Sequence, residues 1–252
     1  MMAGNLSVWL QTYLGGVVLS NEKRSLQPHW ENVRGDLLLF VGDSLQAELA
    51  RAYHFSRMIT VSCLDQQSID TYSSNTICAN YDELPIAQAS MSAVFLPHIL
   101  EFSKAPKKVL TEAKAVLQPE GTLIIVGFNP FSLFGLRKMF SRRKKAIAPW
   151  SGKFRSLWKL KKWLREMNFD TVNQSYTFYD LPINNGKTLK WLKWFKWISW
   201  VFKFCAPMVG GIYIISARKK TLGITPVKMK WQKIQEVVGN TMAKPVTRRS
   251  AQ

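Results

Sequence analysis

Apolar residues in the first half of the chain come in short runs separated by longer amphipathic stretches. The runs that predict strands are 36–41 (DLLLFV), 57–63 (RMITVSC), 93–96 and 122–126 (TLIIV). A helix is predicted from Ser44 onwards (SLQAELARAYH), and another over residues 106–117, where apolar positions follow helical spacing. Strand, helix and strand in this order predict right-handed βαβ units and therefore an α/β fold with a parallel sheet.

The rest of the chain divides into a helical start, two late strands and a basic tail. Residues 1–33 form a predicted helical lead-in, and residues 34–220 form the predicted main domain. Within that domain, residues 157–167 predict a helix, and 169–178 and 211–217 predict two strands. Residues 221–252 are basic and without periodicity, so we expect a mostly disordered tail.

A run of about fifty residues carries a more specific signal than periodicity. Residues 79–130 contain, in order, LPI, a short apolar strand, a helix, QPEG and a second strand ending in GFNP. This order resembles the class I S-adenosylmethionine (SAM)-dependent methyltransferases, in their type-11 branch. The resemblance implies a three-layer Rossmann-like sheet, mostly parallel, with an antiparallel C-terminal strand pair. It also implies SAM as cofactor and methyl transfer to an unidentified acceptor as the activity.

The resemblance assigns cofactor contacts at the ends of the first two strands. The family has GxGxG after the first strand, and this chain reads VGDSLQAE, so that Gly42 is kept and Asp43 stands beside it. The family's ribose-binding acid at the end of the second strand falls on Ser62, or on Asp65 about three residues later. The other interpretation of Asp65 is a helix N-cap.

The third and fourth strands are expected to contribute the adenine and methyl-donor contacts. Asn80 stands where the family binds the adenine amino group, and an Asn carbonyl oxygen can still accept that hydrogen bond. The backbone of Tyr81 is expected to meet the adenine ring, while Leu96 and Pro97 line the methyl-donor side. His98 is the candidate general base, because it titrates near neutrality and follows a strand. The alternative for His98 is a structural histidine, hydrogen-bonded or partly exposed.

The acceptor side is predicted from the loop that follows the last parallel strand. Residues 127–130 (GFNP) and the following FSLFGLRK lie where substrates enter in the family. We therefore expect Asn129, Phe131 and Phe134 to contact the acceptor, with the two aromatic rings forming an apolar lid. In the alternative interpretation, these rings belong to the core beneath a docked helix.

Charge is distributed unevenly along the chain. The net charge is +19, yet residues 1–130 hold nine Lys and Arg against twelve Asp and Glu, whereas residues 131–252 hold 26 against four. The segment 187–204 (KTLKWLKWFKWISWVFKF) predicts an amphipathic helix that either packs in the core or binds an anionic partner. We expect an anionic membrane, because RNA-binding signature motifs are lacking. RNA is the less favoured partner.

Three further expectations complete the sequence-based description. Three cysteines without a CxxC pair indicate neither a metal site nor a disulfide framework. With no signal peptide or membrane span predicted, a cytoplasmic location follows, with peripheral binding at the inner face of the membrane as an extension. Because the glycine-rich loop is incomplete, the alternative function is an inactive module of the same fold that docks on membrane or RNA.

Overall fold

The computed structural model describes residues 4–51, 53, 55–62, 75–140, 148–179 and 207–220. By its internal contacts the chain divides into residues 1–221 and residues 222–252. Three expectations fall outside the described residues: the role of Asp65, the helix at 187–204 and the tail beyond 220. The predicted domain boundary at residue 34 also stays a prediction.

The strands are β1 (Leu37–Val41), β2 (Arg57–Ser62), β3 (Thr76–Cys78), β4 (Met91–Pro97), β5 (Leu117–Phe128), β6 (Phe169–Thr177) and β7 (Ile212–Lys219). In the described part of the chain they form one seven-stranded sheet in the order β3-β2-β1-β4-β5-β7-β6. Strands β1 to β5 pair in parallel, and β7 is antiparallel to both β5 and β6. The predicted Rossmann-like sheet with an antiparallel C-terminal pair is therefore confirmed.

The helices are α1 (Gly4–Leu10), α2 (Tyr13–Trp30), α3 (Ser44–Arg51), α4 (Ile99–Phe102), α5 (Pro106–Val116), α6 (Leu133–Phe140) and α7 (Leu157–Glu166). A short 3-10 turn at Pro207–Val209 precedes β7. Among the helices described, none has the length and apolar content that crossing a bilayer requires.

Two hydrophobic cores lie on the two faces of the sheet, because alternate residues of each strand point to opposite sides. On one face, Leu39, Val94 and Ile125 pack with apolar residues of α5 and α7. On the other face, Phe40, Phe95 and Ile124 pack with apolar residues of α1 and α2. The central strands are thus buried from both sides, as expected for a parallel sheet.

Helix α2 is attached to the sheet by polar contacts as well as by apolar packing. Its N-terminus is capped by the Thr12 side chain, which accepts a hydrogen bond from the backbone of Gly15. Near its other end, His29 is fully buried and lies 2.8 Å from the Ser175 hydroxyl of β6 and 3.2 Å from the Ser216 hydroxyl of β7. The helix is therefore held in one register against the antiparallel strands.

Strand β5 is longer than the sequence predicts, because a turn-like segment is incorporated into it. It begins at Leu117 rather than 122 and ends at Phe128 rather than 126. The QPEG sequence lies inside this strand, where Glu120 has a φ of 61°. The register between β4 and β5 shifts at the same place. A bulge therefore accommodates residues that normally mark a turn.

Burial lowers the pKa of His29 to about 4, and this shift predicts a loss of stability in mild acid. The unfolded chain binds a proton below about pH 6.5, whereas the folded imidazole stays neutral down to about pH 4. The unfolding free energy should therefore fall through that window by at most about 3 kcal/mol. The substitution His29→Gln keeps a donor and an acceptor but does not titrate.

Urea unfolding of the wild type and His29→Gln between pH 8 and pH 4, at about one-unit steps, measures this contribution. The unfolding free energy of His29→Gln minus that of the wild type should be constant above about pH 7. It should become more positive as the pH falls below about 6.5, because only the wild type loses stability there. All other titrating groups are common to both proteins and cancel. A difference that stays constant with pH would contradict the assignment.

Candidate functional site

The carboxyl ends of β1, β2 and β4 bring predicted cofactor residues together at one edge of the sheet. Val41 pairs with Val61, and the Gly42 N–H donates to the Val61 carbonyl at 3.0 Å, so Gly42 lies beside Ser62. On its other side Gly42 lies against Pro97: a Cβ added at Gly42 would be 3.3 Å from Pro97 Cγ. This is the edge at which open α/β sheets bind nucleotides.

Asp43 is the N-cap of α3. Its Oδ1 accepts a hydrogen bond from the Leu45 N–H at 3.0 Å, and its carbonyl accepts one from the Gln46 N–H at 3.0 Å. Helix α3 therefore begins one residue beyond a negatively charged cap. A carboxylate at this place satisfies an N–H group that would otherwise be open to a ligand.

Gln46 stands at the third glycine position of the GxGxG pattern and is fully buried. Neither Oε1 nor Nε2 of its amide has a hydrogen-bond partner among the described residues. A buried amide without partners costs roughly 1–3 kcal/mol, and a polar ligand beside the loop would remove that cost. The amide of Gln46 is therefore compatible with a polar cofactor such as SAM.

The residues predicted to contact adenosine lie at the ends of β2 and β3. Ser62 is half-buried, and its carbonyl accepts from the Ala79 N–H at 3.1 Å. Asn80 is the second residue after β3, and its carbonyl accepts from the Glu83 N–H at 3.2 Å, which closes a turn. The side chain of Asn80 is exposed and Tyr81 is half-buried. Ser62 and Asn80 thus stand at the same sheet edge as Gly42.

His98 is buried and paired with a glutamate of the N-terminal helix. Leu96 and Pro97 are buried within β4, and His98 follows them with a left-handed φ of 55°. Its Nε2 lies 2.7 Å from Glu22 Oε1, and both side chains are completely inaccessible to solvent. The imidazole also stacks on Phe128, with ring centroids 4.1 Å apart. The candidate base is therefore covered by α2.

The environment of His98 favours its protonated form. Burial alone lowers the pKa of the imidazole, but the charge of Glu22, its hydrogen bond and the charge of Glu101 outweigh burial and raise the pKa. Because Nε2–H donates to Glu22, the second ring nitrogen must find a different hydrogen-bond partner. That atom, Nδ1, is 4.0 Å from Glu101 Oε1 and has no hydrogen-bond partner in the described part of the chain.

Glu101 and Tyr213 complete a buried polar cluster around His98 and Glu22. The Phe128 N–H donates to Glu101 Oε1 at 2.7 Å. A Cβ added at Gly127 would lie 2.5 Å from Glu101 Oε1 and 2.5 Å from the Tyr213 hydroxyl, so the close approach requires glycine. Burial raises the pKa of Glu101 despite the opposing charge of His98, and burial together with Glu101 raises that of Tyr213. All three shifts favour retention of protons.

The predicted acceptor-side residues take three different positions. The Asn129 amide donates to the carbonyls of Met208 and Gly210, and its Oδ1 accepts from the Phe131 N–H. Phe134 is fully buried and stacks on Phe128, the core position of the alternative interpretation. Phe131 is 74% exposed. Of these residues, only Phe131 presents its side chain to solvent.

Sequence reasoning missed Glu22, Gln46 and Tyr213. A signal for Glu22 was present: Leu14, Val18 and Leu26 are buried at four-residue intervals on α2, and Glu22 occupies the remaining place in that row. A charged residue at a core position indicates a buried partner. The sequence contains no such signal for Gln46 and Tyr213, because an amide or a phenol is common at half-buried positions as well as at buried ones.

Across the described residues, no group of three or more His, Cys, Asp or Glu side chains is placed to hold a metal ion.

Comparison with known proteins supports the interpretation of this edge. A family model described as a methyltransferase domain, type 11, matches residues 42–125, from the loop after β1 into β5. The uncharacterized protein YafS of Escherichia coli strain K12 is 31% identical over 226 residues, which cover 87% of this chain and 85% of the relative.

Solved structures of similar fold include two methyltransferases. A SAM-dependent methyltransferase of Thermotoga maritima has a TM-score of 0.61 at 15% identity, over 80% of this chain and 89% of the other. A SAM-dependent methyltransferase of Archaeoglobus fulgidus has a TM-score of 0.56 at 16% identity, over 78% and 92%. Together with the family match, these likenesses identify the fold. The chain belongs to the type-11 branch of the class I SAM-dependent methyltransferases.

Proposed function

We propose that this protein binds SAM at the carboxyl edge of β1–β4 and transfers its methyl group to an acceptor that is not identified. The observation that carries the proposal is the buried amide of Gln46, which lacks hydrogen-bond partners among the described residues and belongs to the first turn of α3, four residues after Gly42. Both residues lie within the segment that matches the family model.

Each predicted cofactor residue receives a distinct role in this proposal. Gly42 and Gln46 hold the methionine part, Asp43 fixes the start of α3, and Ser62 hydrogen-bonds the ribose. Asp65 is the alternative ribose contact. The exposed Asn80 amide accepts from the adenine amino group, and the backbone of Tyr81 meets the ring. Leu96 and Pro97 exclude water from the methyl-donor side. When bound, SAM supplies an electrophilic methyl group.

On the acceptor side, we assign His98 the role of general base and Glu22 that of the residue that orients it. Glu22 accepts from Nε2–H, and the raised pKa of His98 favours a second proton on Nδ1. The ring must first lose that proton before Nδ1 can act as the proton acceptor. Because His98 is completely buried, this role requires a path to Nδ1 to open when the acceptor binds, while Glu22 stays paired with Nε2. Asn129, Phe131 and Phe134 are assigned to the acceptor side, with Phe131 as its exposed residue.

A second candidate function is a non-catalytic binding module of the same fold. It is favoured by the loop itself, in which an Asp43 carboxylate caps α3 and a Gln46 side chain replaces a glycine. Such a module would dock through the basic C-terminal half on an anionic membrane or, less favoured, on RNA. Transfer of a radiolabelled methyl group from SAM to a component of a cell extract would exclude this candidate.

Calorimetric titration with SAM tests the main proposal, and Asn80→Ala tests the adenine contact. Removing one neutral hydrogen bond of about 0.5–1.5 kcal/mol should weaken SAM binding roughly three- to tenfold. Gln88→Ala is the matched control, because Gln88 is also exposed and lies in the same connection between β3 and β4. It should leave the affinity unchanged.

Absence of heat at millimolar SAM, in protein shown by circular dichroism to be folded, would refute cofactor binding. Equal affinities for wild type, Asn80→Ala and Gln88→Ala would instead refute only the role of Asn80.

Glu22→Gln tests the orientation of His98 independently of any substrate. The glutamine amide retains a polar contact but lacks the negative charge that raises the pKa of His98, so this pKa should fall. NMR titration of the imidazole resonances measures it. Glu48→Gln, at an exposed position of α3, should leave the value unchanged. A His98 pKa unaltered by Glu22→Gln would show that Glu22 does not control this ring.

A further inference from the structure

Large apolar side chains are exposed at the end of the sheet where β5 leads into α6. Of the described residues, eight large hydrophobic side chains are exposed, and four of them belong to this region: Phe131 (74%), Leu136 (48%), Met139 (65%) and Met208 (68%). Single exposed apolar residues are ordinary, whereas a contiguous group indicates a binding surface. We call these four residues the apolar face.

Three of these four residues lie on α6 or just before it. The Ser132 hydroxyl accepts from the Gly135 N–H, so Ser132 is the N-cap of α6. Phe131 and Leu136 then occupy the two positions that pack together in a hydrophobic staple. Met139 follows Leu136 by three residues and shares its side of the helix.

Asn129 connects the segment that contains Met208 to the segment that contains Phe131. Its amide donates to the Met208 carbonyl, and its Oδ1 accepts from the Phe131 N–H. The turn before β7 is therefore fixed beside the start of α6, and the apolar face extends across two separate segments of the chain.

Helix α6 buries Phe134 in the core, but it directs its two cations towards the protein and leaves two large apolar side chains exposed. The guanidinium of Arg137 lies over the ring of Trp150 at 5.0 Å, and the ammonium of Lys138 lies over Phe154 at 4.3 Å. Both cations of α6 are thus directed towards the protein. Leu136 and Met139 face solvent, where a soluble helix normally presents charge.

The sequence on both sides of the apolar face is strongly cationic. Directly after α6, residues 141–147 (SRRKKAI) carry four cations and no acid. Before Met208, residues 180–206 carry five lysines against one aspartate, with interleaved tryptophan and phenylalanine. The segments that adjoin the face in the sequence therefore carry a charge that is complementary to an anionic surface.

We propose that the apolar face inserts into the headgroup boundary of an anionic lipid membrane. Phe, Leu and Met side chains flanked by Lys and Arg are the composition of interfacial membrane contacts, in which apolar insertion and attraction to anionic lipid act together. Binding of single-stranded RNA requires aromatic rings on which bases stack, and Leu136, Met139 and Met208 have none. The proposal is independent of SAM binding.

Flotation of the full-length protein with vesicles tests the proposal. The vesicles are phosphatidylcholine alone and an equal mixture with phosphatidylglycerol, each over a salt series. The double variant Phe131→Ser, Met139→Ser removes apolar area from the face without touching the core, and should lower partitioning onto anionic vesicles about tenfold or more. Trp158→Ser is the matched control, because Trp158 is 73% exposed on α7 and lies outside the face.

The proposal is supported if the wild type binds anionic vesicles more strongly than neutral ones. The double variant should lose this binding, and Trp158→Ser should keep it within about twofold. Circular dichroism confirms that all variants are folded. Equal recovery with both lipids, or equal losses in the double variant and Trp158→Ser, overturns it. Binding to a single-stranded RNA oligonucleotide that depends on Phe131 and Met139, without vesicle binding, overturns it in favour of a nucleic-acid surface.

Discussion

A parallel sheet with apolar side chains on both faces is stable only when helices exclude water from both. Strands β1, β4 and β5 have such faces, and α2 supplies much of the cover on one side. The same helix carries Glu22 into the interior, where a lone carboxylate would be strongly destabilised. His98, which follows β4, pairs with one oxygen of that carboxylate. The candidate chemistry at this edge therefore depends on how α2 is packed.

The spacing of apolar residues predicted the strands that are buried on both faces. It failed where contacts between distant residues determine the secondary structure. The apolar runs at β1, β2, β4 and β7 indicate buried strands from composition alone. The QPEG sequence indicates a turn, but pairing with β4 draws it into β5 through a bulge. At the site, the resemblance supplied the row from Gly42 to His98. It did not identify Glu22 as the partner of His98, because the two residues are 76 positions apart and a local sequence pattern does not show such a pair.

The loop after β1 shows how a nucleotide-binding edge can change without loss of the fold. In a glycine-rich loop, the backbone itself approaches the ligand. Here a side-chain carboxylate stabilises the start of α3 and a buried amide lies next to it. The backbone N–H groups at the start of α3 can bond either to the Asp43 side chain, which stabilises the helix, or to a ligand.

The polar attachment of α2 also has a consequence for the order of folding during synthesis. Ser25 and His29 bond to residues of β6 and β7 that lie 146 to 187 positions later in the chain. At roughly 5–20 residues per second, the ribosome needs about 10–40 s to reach them. For that interval α2 can pack on β1, β4 and β5 but lacks the polar contacts that attach it to β6 and β7. Helix α2 is therefore synthesised before the sheet, yet it reaches its final position only after β6 and β7 have been made.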